Sequence, residues 1–283
     1  MFVPARTLFV TDLDGTLLGA DLKISSESAA ILNELIGAGV LITAATARAR
    51  ESTRRALAGV DLCLPVAFLN GGYLADLHGE QIQGGFPLPT KTTSLILEGY
   101  LECGLHPLVY TIDAFGKEHV FYQGTGNPGM HAYVAERLSG GDRRLRQVAD
   151  LSVTDTQTVI AINAVDTPER LAPMREQWSR DAGVCCHYSP DIYVSGYCWL
   201  EICEFRANKG QAALTLKELV GAERMVCFGD NTNDLAMFAA ADESYAVANA
   251  HPAVLDAATA VIGDHRSHAV ARQLRELARA ETR

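Results

Sequence analysis

An apolar run that ends on two carboxylates is the feature of this sequence that most restricts its fold. Residues 8–18 read LFVTDLDGTLL, so Asp12 and Asp14 directly follow apolar and β-branched side chains. Such a run is typical of a strand that is buried on both faces of a parallel sheet, and we predict a strand over residues 3–12. Two neighbouring buried acids repel each other and lose hydration, which is costly unless a cation or a reaction uses them. The stretch therefore predicts an α/β fold with a site at the end of its first strand.

Composition excludes several classes of partner. The chain has 283 residues and a net charge of -10, and no cluster of Lys and Arg could follow a nucleic-acid backbone. No apolar run approaches the roughly 20 residues that span a bilayer, so we expect no membrane association. The seven cysteines are an odd number without a C-x-x-C pair, which favours a reducing cytoplasm over a disulfide framework.

The order of the predicted elements divides the chain into two domains. Strands and helices alternate up to about residue 85 and again from about residue 208, as in a doubly wound, Rossmann-like α/β domain. Between these segments the predicted strands come in adjacent pairs, such as HPLVYTID and GKEHVFYQ, which is typical of an antiparallel α+β domain. We therefore predict a discontinuous core domain of residues 1–85 and 206–283, with an inserted α+β domain of residues 86–205.

Polar side chains follow the predicted strands of the core, where ligands of open parallel sheets bind. Hard oxygen ligands suit Mg²⁺, and a Lys with a Thr hydroxyl suits an anion, so the set predicts magnesium together with phosphate. The residues concerned are Asp12, Asp14, Thr46, Arg48, Lys209, Asp230 and Asp234.

Four segments carry a resemblance to a known family. DLDGTLL, TATAR, Lys209-Gly210 and FGDNTND resemble the four motifs of the haloacid dehalogenase (HAD) superfamily, in their usual order. The insert between the second and third motifs resembles the type IIB cap of the Cof-like phosphatases. The resemblance implies a Mg²⁺-dependent phosphatase that hydrolyses a small phosphorylated metabolite, such as a sugar phosphate, with the cap domain providing specificity.

The resemblance also implies roles for individual residues. Asp12 would be the nucleophile that forms an aspartyl-phosphate, and Asp14 would be the general acid and base. The metal ligands would be Asp12, Asp14 through its carbonyl, and Asp230, with Asp234 binding directly or through water. Thr46 and Lys209 would hold the phosphate. The substrate side would include Arg48, Asn70, Gly71 and Asn233. Many relatives have Gly where this chain has Ala47, and the extra methyl group narrows the site beside Arg48.

Other functions remain open at this stage. A sugar phosphomutase shares the cap type, and a ligand sensor on the same fold would need no turnover. A dehalogenase would not need the acidic cluster. Residues 124–129 read GTGNPG and match a dinucleotide fingerprint, but Asn127 as a helix cap with Pro128 in the first turn explains them better. In the insert, the residues that we consider as substrate contacts are Asn163, His187, Tyr193 and Glu201.

Overall fold

The chain folds into two compact units in a computed structural model that describes residues 6–79, 81–191 and 194–281. The core unit comprises Met1–Gly85 and Asn208–Arg283, and the insert unit comprises Phe86–Ala207. The boundaries expected from the sequence were 85 and 205. Val3, where the first strand was predicted to begin, and Tyr193 lie outside the described residues.

Both units contain strands and helices, which are numbered along the chain. The strands are β1 Thr7–Thr11, β2 Leu41–Ala44, β3 Val66–Phe68, β4 Tyr73–Ala75, β5 Ile82–Gly84, β6 Leu108–Ile112, β7 Glu118–Tyr122, β8 Leu145–Gln147, β9 Thr158–Asp166, β10 Val184–Pro190, β11 Cys198–Glu204, β12 Arg224–Gly229, β13 Glu243–Val247 and β14 Ala260–Ile262. The helices are α1 Ser26–Gly37, α2 Arg50–Ala56, α3 Thr90–Glu102, α4 Pro128–Ser139, α5 Pro168–Trp178, α6 Lys209–Leu219, α7 Leu235–Ala240, α8 Pro252–Ala257 and α9 Ala269–Glu281.

The core unit is built on a parallel sheet of order β14-β13-β12-β1-β2. From β1 the chain passes to β2 on one side, and it later returns to β12 on the other side of β1. The strand order therefore reverses between β1 and β12, and ligands of open α/β sheets bind at such a reversal. The prediction of a doubly wound, parallel α/β core is confirmed.

Local sequence explains how α1 begins and ends after β1. The side chain of Ser25 accepts a hydrogen bond from the backbone N–H of Ser28, which caps the first turn. Ile31, Leu32 and Leu35 recur at helical spacing and are buried. Gly39 follows the helix with φ at +86°, a left-handed conformation that favours glycine. The sequence predicts a helix over residues 27–38, capped by Ser25 or Ser26, and the structure confirms it within one residue at each end.

A small antiparallel sheet of order β3-β4-β5 belongs to the core unit. The turn between β3 and β4 contains Asn70 at φ +56° and Gly71 at φ +98°. A Cβ on Gly71 would lie 2.9 Å from the carbonyl oxygen of Asn208, so the turn packs closely against the start of α6. This packing requires glycine and fixes Asn70 near the strand ends of the core unit.

The insert unit contains a six-stranded sheet of order β10-β11-β9-β6-β7-β8. Its pairs are antiparallel except β7 with β8, which confirms the predicted α+β character. A cluster that includes Tyr100 of α3 and Trp178 of α5 packs on one face, and α4 packs on part of the other. The segment DIYVS at residues 191–195 predicts a further strand from its apolar and β-branched side chains. This prediction is wrong for the described residues, because Asp191, Val194 and Ser195 lie in the connection between β10 and β11. Within the described part of the chain, no helix is both long and apolar enough to span a bilayer.

Candidate active site

A wide turn after β1 places Asp12 and Asp14 at the carboxyl end of the core sheet. The backbone N–H of Asp12 donates to the carbonyl of Phe228 on β12 at 2.9 Å, so Asp12 lies at the reversal of strand order. Gly15 in the turn has φ at +71°, and a Cβ there would lie 2.5 Å from Oδ2 of Asp230. Glycine therefore allows the turn after β1 to approach the loop after β12.

Lys209 joins two carboxylates in the buried centre of the site. Its Nζ donates to Oδ1 of Asp12 and to Oδ1 of Asp234, each at 2.6 Å. The Lys209 side chain is 1% exposed, and both carboxylates are buried. A buried ammonium is costly unless charged partners surround it, and here two do. Lys209 thus fixes the position of Asp12.

The pKa values of this cluster reflect burial and mutual charge. Burial raises the pKa of Asp12 to about 7, although the adjacent Lys209 ammonium opposes the rise. Burial also raises the pKa of Asp230, against a hydrogen bond from Thr16. For Lys209 burial lowers the pKa, but the charges of Asp12 and Asp234 outweigh it and raise the pKa overall. Lys209 alone therefore does not balance the negative charge of these carboxylates, and a divalent cation would supply the missing positive charge.

Three carboxylates form a group that could hold such a cation. Oxygen atoms of Asp12, Asp230 and Asp234 all lie within 4.8 Å of one another. An all-oxygen donor set fits a hard cation such as Mg²⁺. Thr16, which sequence reasoning did not select, donates its hydroxyl to Oδ1 of Asp230 at 2.7 Å. The Gly-Thr pair directly after the two acids was the available signal for this residue.

Asp234 makes contacts that favour a positioning role over direct metal binding. While Oδ1 accepts from Lys209, Oδ2 accepts from the backbone N–H groups of Asp230 at 2.9 Å and Asn231 at 3.0 Å. Both oxygens are therefore engaged in holding the loop after β12. Side chains that surround a metal site in this way orient the residues that bind it. Direct binding by Asp230 stays a prediction.

The carboxylate of Asp14 lies in an ion pair with Arg48. The guanidinium donates from Nε to Oδ2 at 2.7 Å and from Nη2 to Oδ1 at 2.5 Å. The Asp14 side chain is 44% exposed, whereas that of Arg48 is 16% exposed. Asp14 is not in the group of three carboxylates, and a metal contact from its backbone carbonyl stays a prediction. Arg48 is engaged with Asp14, and its contact with substrate stays a prediction.

The remaining predicted residues form a connected network of hydrogen bonds. Thr46 Oγ1 accepts from the backbone N–H of Arg48 at 3.1 Å, which leaves its hydroxyl proton available to a ligand. The Thr46 carbonyl accepts from the N–H of Asn70 at 2.9 Å. Asn70 Oδ1 accepts from Nδ2 of Asn233 at 3.1 Å. Oδ1 of Asn233 is buried and has no partner among the described residues. The structure thus brings Thr46, Asn70 and Asn233 together.

Comparison with known proteins identifies the family. The model of a family described as haloacid dehalogenase-like hydrolases matches residues 9–274. The chain belongs to this family. The HAD resemblance inferred from DLDGTLL, TATAR, Lys209-Gly210 and FGDNTND is confirmed. Pyridoxal phosphate phosphatase YbhA of Escherichia coli (strain K12) is 29% identical over 267 residues, which cover 92% of this chain and 94% of that protein.

Solved structures of HAD proteins share the fold over nearly the whole chain. A haloacid dehalogenase-like hydrolase from Bacteroides thetaiotaomicron has a TM-score of 0.76 at 21% identity and covers 96% of this chain and 99% of its own. The HAD subclass IIB sugar phosphatase BT4131 has a TM-score of 0.67 at 18% identity, covering 96% and 98%. The Cof-like HAD assignment is confirmed, and the chain is a HAD-family phosphoric monoester hydrolase. The type IIB character of its insert stays a prediction.

Proposed function

We propose that this HAD protein is a Mg²⁺-dependent phosphatase that acts on a small phosphomonoester through an aspartyl-phosphate. Sugar phosphates and pyridoxal phosphate are the first substrates to test, since similar proteins are named for them. The observation that carries the proposal is the buried contact of Lys209 with Asp12, beside Asp230 at the reversal of strand order. A carboxylate held by an ammonium is positioned to attack a phosphoryl group.

The residues of the chain account for both halves of the reaction. A carboxylate oxygen of Asp12 forms a bond to phosphorus while the bond to the alkoxide breaks, and Asp14 gives the alkoxide a proton. Water then attacks phosphorus, Asp14 takes its proton, and the bond to Asp12 breaks to release inorganic phosphate. Asp14 must part from Arg48 and take a proton from solvent before the first transfer, because a carboxylate in this ion pair only accepts hydrogen bonds. Arg48 is then free to contact substrate. The proton that Asp14 later takes from water restores the acid for the next turnover.

Positioned donors would stabilise the charge that develops on the phosphoryl oxygens. Lys209 and the hydroxyl of Thr46 are fixed by their contacts with Asp12 and with the Arg48 amide. Donors fixed before the reaction need not reorganise during it, so they favour the transition state. A Mg²⁺ ion held by Asp12, Asp230 and the Asp14 carbonyl would screen the repulsion between the nucleophile and the phosphate.

A panel of phosphomonoesters tests this function directly. The 283-residue chain should release phosphate from at least one member with Mg²⁺ and lose that activity with a chelator. The substitution Asp12→Asn should lower kcat by at least about 10⁴-fold, as removal of a nucleophile does elsewhere. The matched control is Asp61→Asn, an exposed acid of the core unit, which should leave kcat unchanged.

Two results would replace this proposal by its alternatives. If a bisphosphate activator yields an isomerised sugar phosphate without free phosphate, the protein is a phosphomutase. If phosphomonoesters bind but none is turned over, it is a ligand sensor. If Asp12→Asn still turned substrate over, Asp12 would not be the nucleophile.

We also propose a cytoplasmic location. All seven cysteines are free thiols, and five of them lie in the insert unit. A reducing compartment maintains thiols in this state.

A further inference from the structure

Two neighbouring strands of the insert unit bring metal-binding side chains to one face of their sheet. Cys185 and His187 lie two residues apart on β10, so they point to the same face. Glu201 and Cys203 do the same on β11. The strands pair Cys185 with Cys203 and His187 with Glu201, which places all four side chains together.

The distances among these side chains suit a tetrahedral metal ion. Ligand atoms of His187, Glu201 and Cys203 all lie within 4.8 Å of one another. The sulfur of Cys185 lies 3.5 Å from Nε2 of His187. Ligand atoms around a tetrahedral Zn²⁺ lie roughly 3.3–3.8 Å apart, given its bond lengths of about 2.0–2.3 Å. Small movements of the side chains would therefore complete the coordination.

The surroundings of the cluster allow an ion to enter and then hold it. His187 is exposed, Cys185 and Glu201 are half-buried, and Cys203 is buried. Apolar side chains that include Phe86 and Tyr110 pack beside Cys203, which lowers the local dielectric constant.

Asn163 of β9 supports the cluster from the neighbouring strand. Its Nδ2 donates to Oε2 of Glu201 at 3.2 Å, and its own Oδ1 is buried without a partner among the described residues. Side chains that orient a carboxylate in this way are common around metal ligands. This contact also gives Asn163, Glu201 and His187 an explanation other than the substrate contacts expected from the sequence.

We propose that Cys185, His187, Glu201 and Cys203 form a Zn²⁺ site in the insert unit. Two thiolates and an imidazole favour Zn²⁺ over Mg²⁺, which prefers oxygen ligands. Binding releases the thiol protons to solvent, since the thiolate is the ligand. Because β10 is an edge strand of its sheet, the ion ties that edge to β11 and stabilises the insert unit. The site is separate from the catalytic chemistry and needs no phosphatase activity.

Cobalt titration of the reduced 283-residue chain tests the site. One equivalent of Co²⁺ should produce a thiolate-to-cobalt charge-transfer band that Zn²⁺ abolishes and excess Mg²⁺ does not. His187→Ala and Cys203→Ser should each weaken binding by at least about 100-fold, because loss of a ligand costs no less than loss of a supporting contact. The matched control is Cys63→Ser, an exposed cysteine of the core unit, which should bind as the unsubstituted protein does.

Several outcomes would overturn the proposal. These are absence of the band, its retention in Cys203→Ser, or formation of a Cys185–Cys203 disulfide by a protein that takes up no metal when reduced. Because Cys203 is buried, its variant needs a circular-dichroism spectrum that matches the unsubstituted protein; the exposed His187 gives an independent test. Asp230→Asn should keep the band, because the core acids supply no thiolate; Co²⁺ uptake that is lost in Asp230→Asn and shows no charge-transfer band would place the ion at the core acids and contradict the thiol site.

Discussion

At the scale of single residues, Gly15 determines how closely the two acidic loops of the core unit approach each other. An added methyl group would meet Oδ2 of Asp230 at 2.5 Å, and the backbone has φ at +71°. Gly15→Ala should therefore displace Asp230 and lower kcat by about 100-fold, because moving a catalytic group by about 1 Å costs an enzyme about this much in rate. Steady-state kinetics with Mg²⁺ on a substrate from the panel measures this loss.

Gly59 provides the control for the strain that alanine adds at positive φ. It has φ at +91°, but within the described part of the chain an added Cβ would meet no atom within 4 Å. Gly59→Ala should lose some stability and keep its kcat. Equal losses of kcat in the two variants would mean that general destabilisation, and not the contact with Asp230, explains the effect at position 15.

The sequence predicts those residues of the candidate site that directly follow a strand or begin a helix. Asp12 and Lys209 follow from the positions of a buried strand and a helix start, and the structure brings them to 2.6 Å. The ion pair of Asp14 with Arg48 was not predictable, because it depends on side-chain rotamers. The bond from Thr16 to Asp230 joins residues 214 apart in sequence, and no local pattern reports such a distance.

At the scale of the elements, Asn127 determines where α4 begins. Its Oδ1 accepts from the N–H of Met130 at 2.9 Å, and its Nδ2 donates to the carbonyl of Val165 at 2.7 Å. Asn127→Ala should lower the free energy of unfolding by about 1–2 kcal/mol through loss of the cap. Urea denaturation followed by circular dichroism measures the change. Ser139→Ala, at the exposed end of α4, should change it by less than about 0.5 kcal/mol. An equal effect in both variants would contradict the capping role.

The element pattern also shows where sequence reasoning failed. Helix α3 was not predicted, although Thr93, Ile96, Leu97 and Tyr100 are buried at helical spacing. The polar threonines and the prolines before them obscure the helical spacing of the apolar residues. The elements α8 and β14 were also missed, because segments of six and three residues depend on packing more than on intrinsic propensity. Long elements with capped ends were predicted closely: α1 agrees within one residue, and α6 covers the helix that the sequence predicts over residues 209–219.

At the scale of the whole molecule, the sequence predicts a division into a core and an insert, but it does not predict strand pairing. The change from alternating strands and helices to adjacent strands marks the insert, because it reflects local chain connectivity. The register of β1 with β12 pairs Thr11 with Phe228, which depends on contacts formed only when the chain has folded. The meeting of Cys185 with Cys203 across β10 and β11 is of the same kind.

The two proposed metal sites lie in different units, so each ion should protect a different part of the chain from hydrogen exchange. Mg²⁺ should slow exchange in the loops at 13–17 and 230–234, and Zn²⁺ should slow it in β10 and β11. At 100 times its dissociation constant, an ion stabilises the bound state by about 2.7 kcal/mol, which slows by about 100-fold any exchange that requires its release. Mass spectrometry of peptides from the 283-residue chain measures both patterns. If Zn²⁺ protected only the acidic loops, the thiol cluster would not be its site. If Mg²⁺ protected neither loop, the carboxylates around Asp12 would not be a Mg²⁺ site.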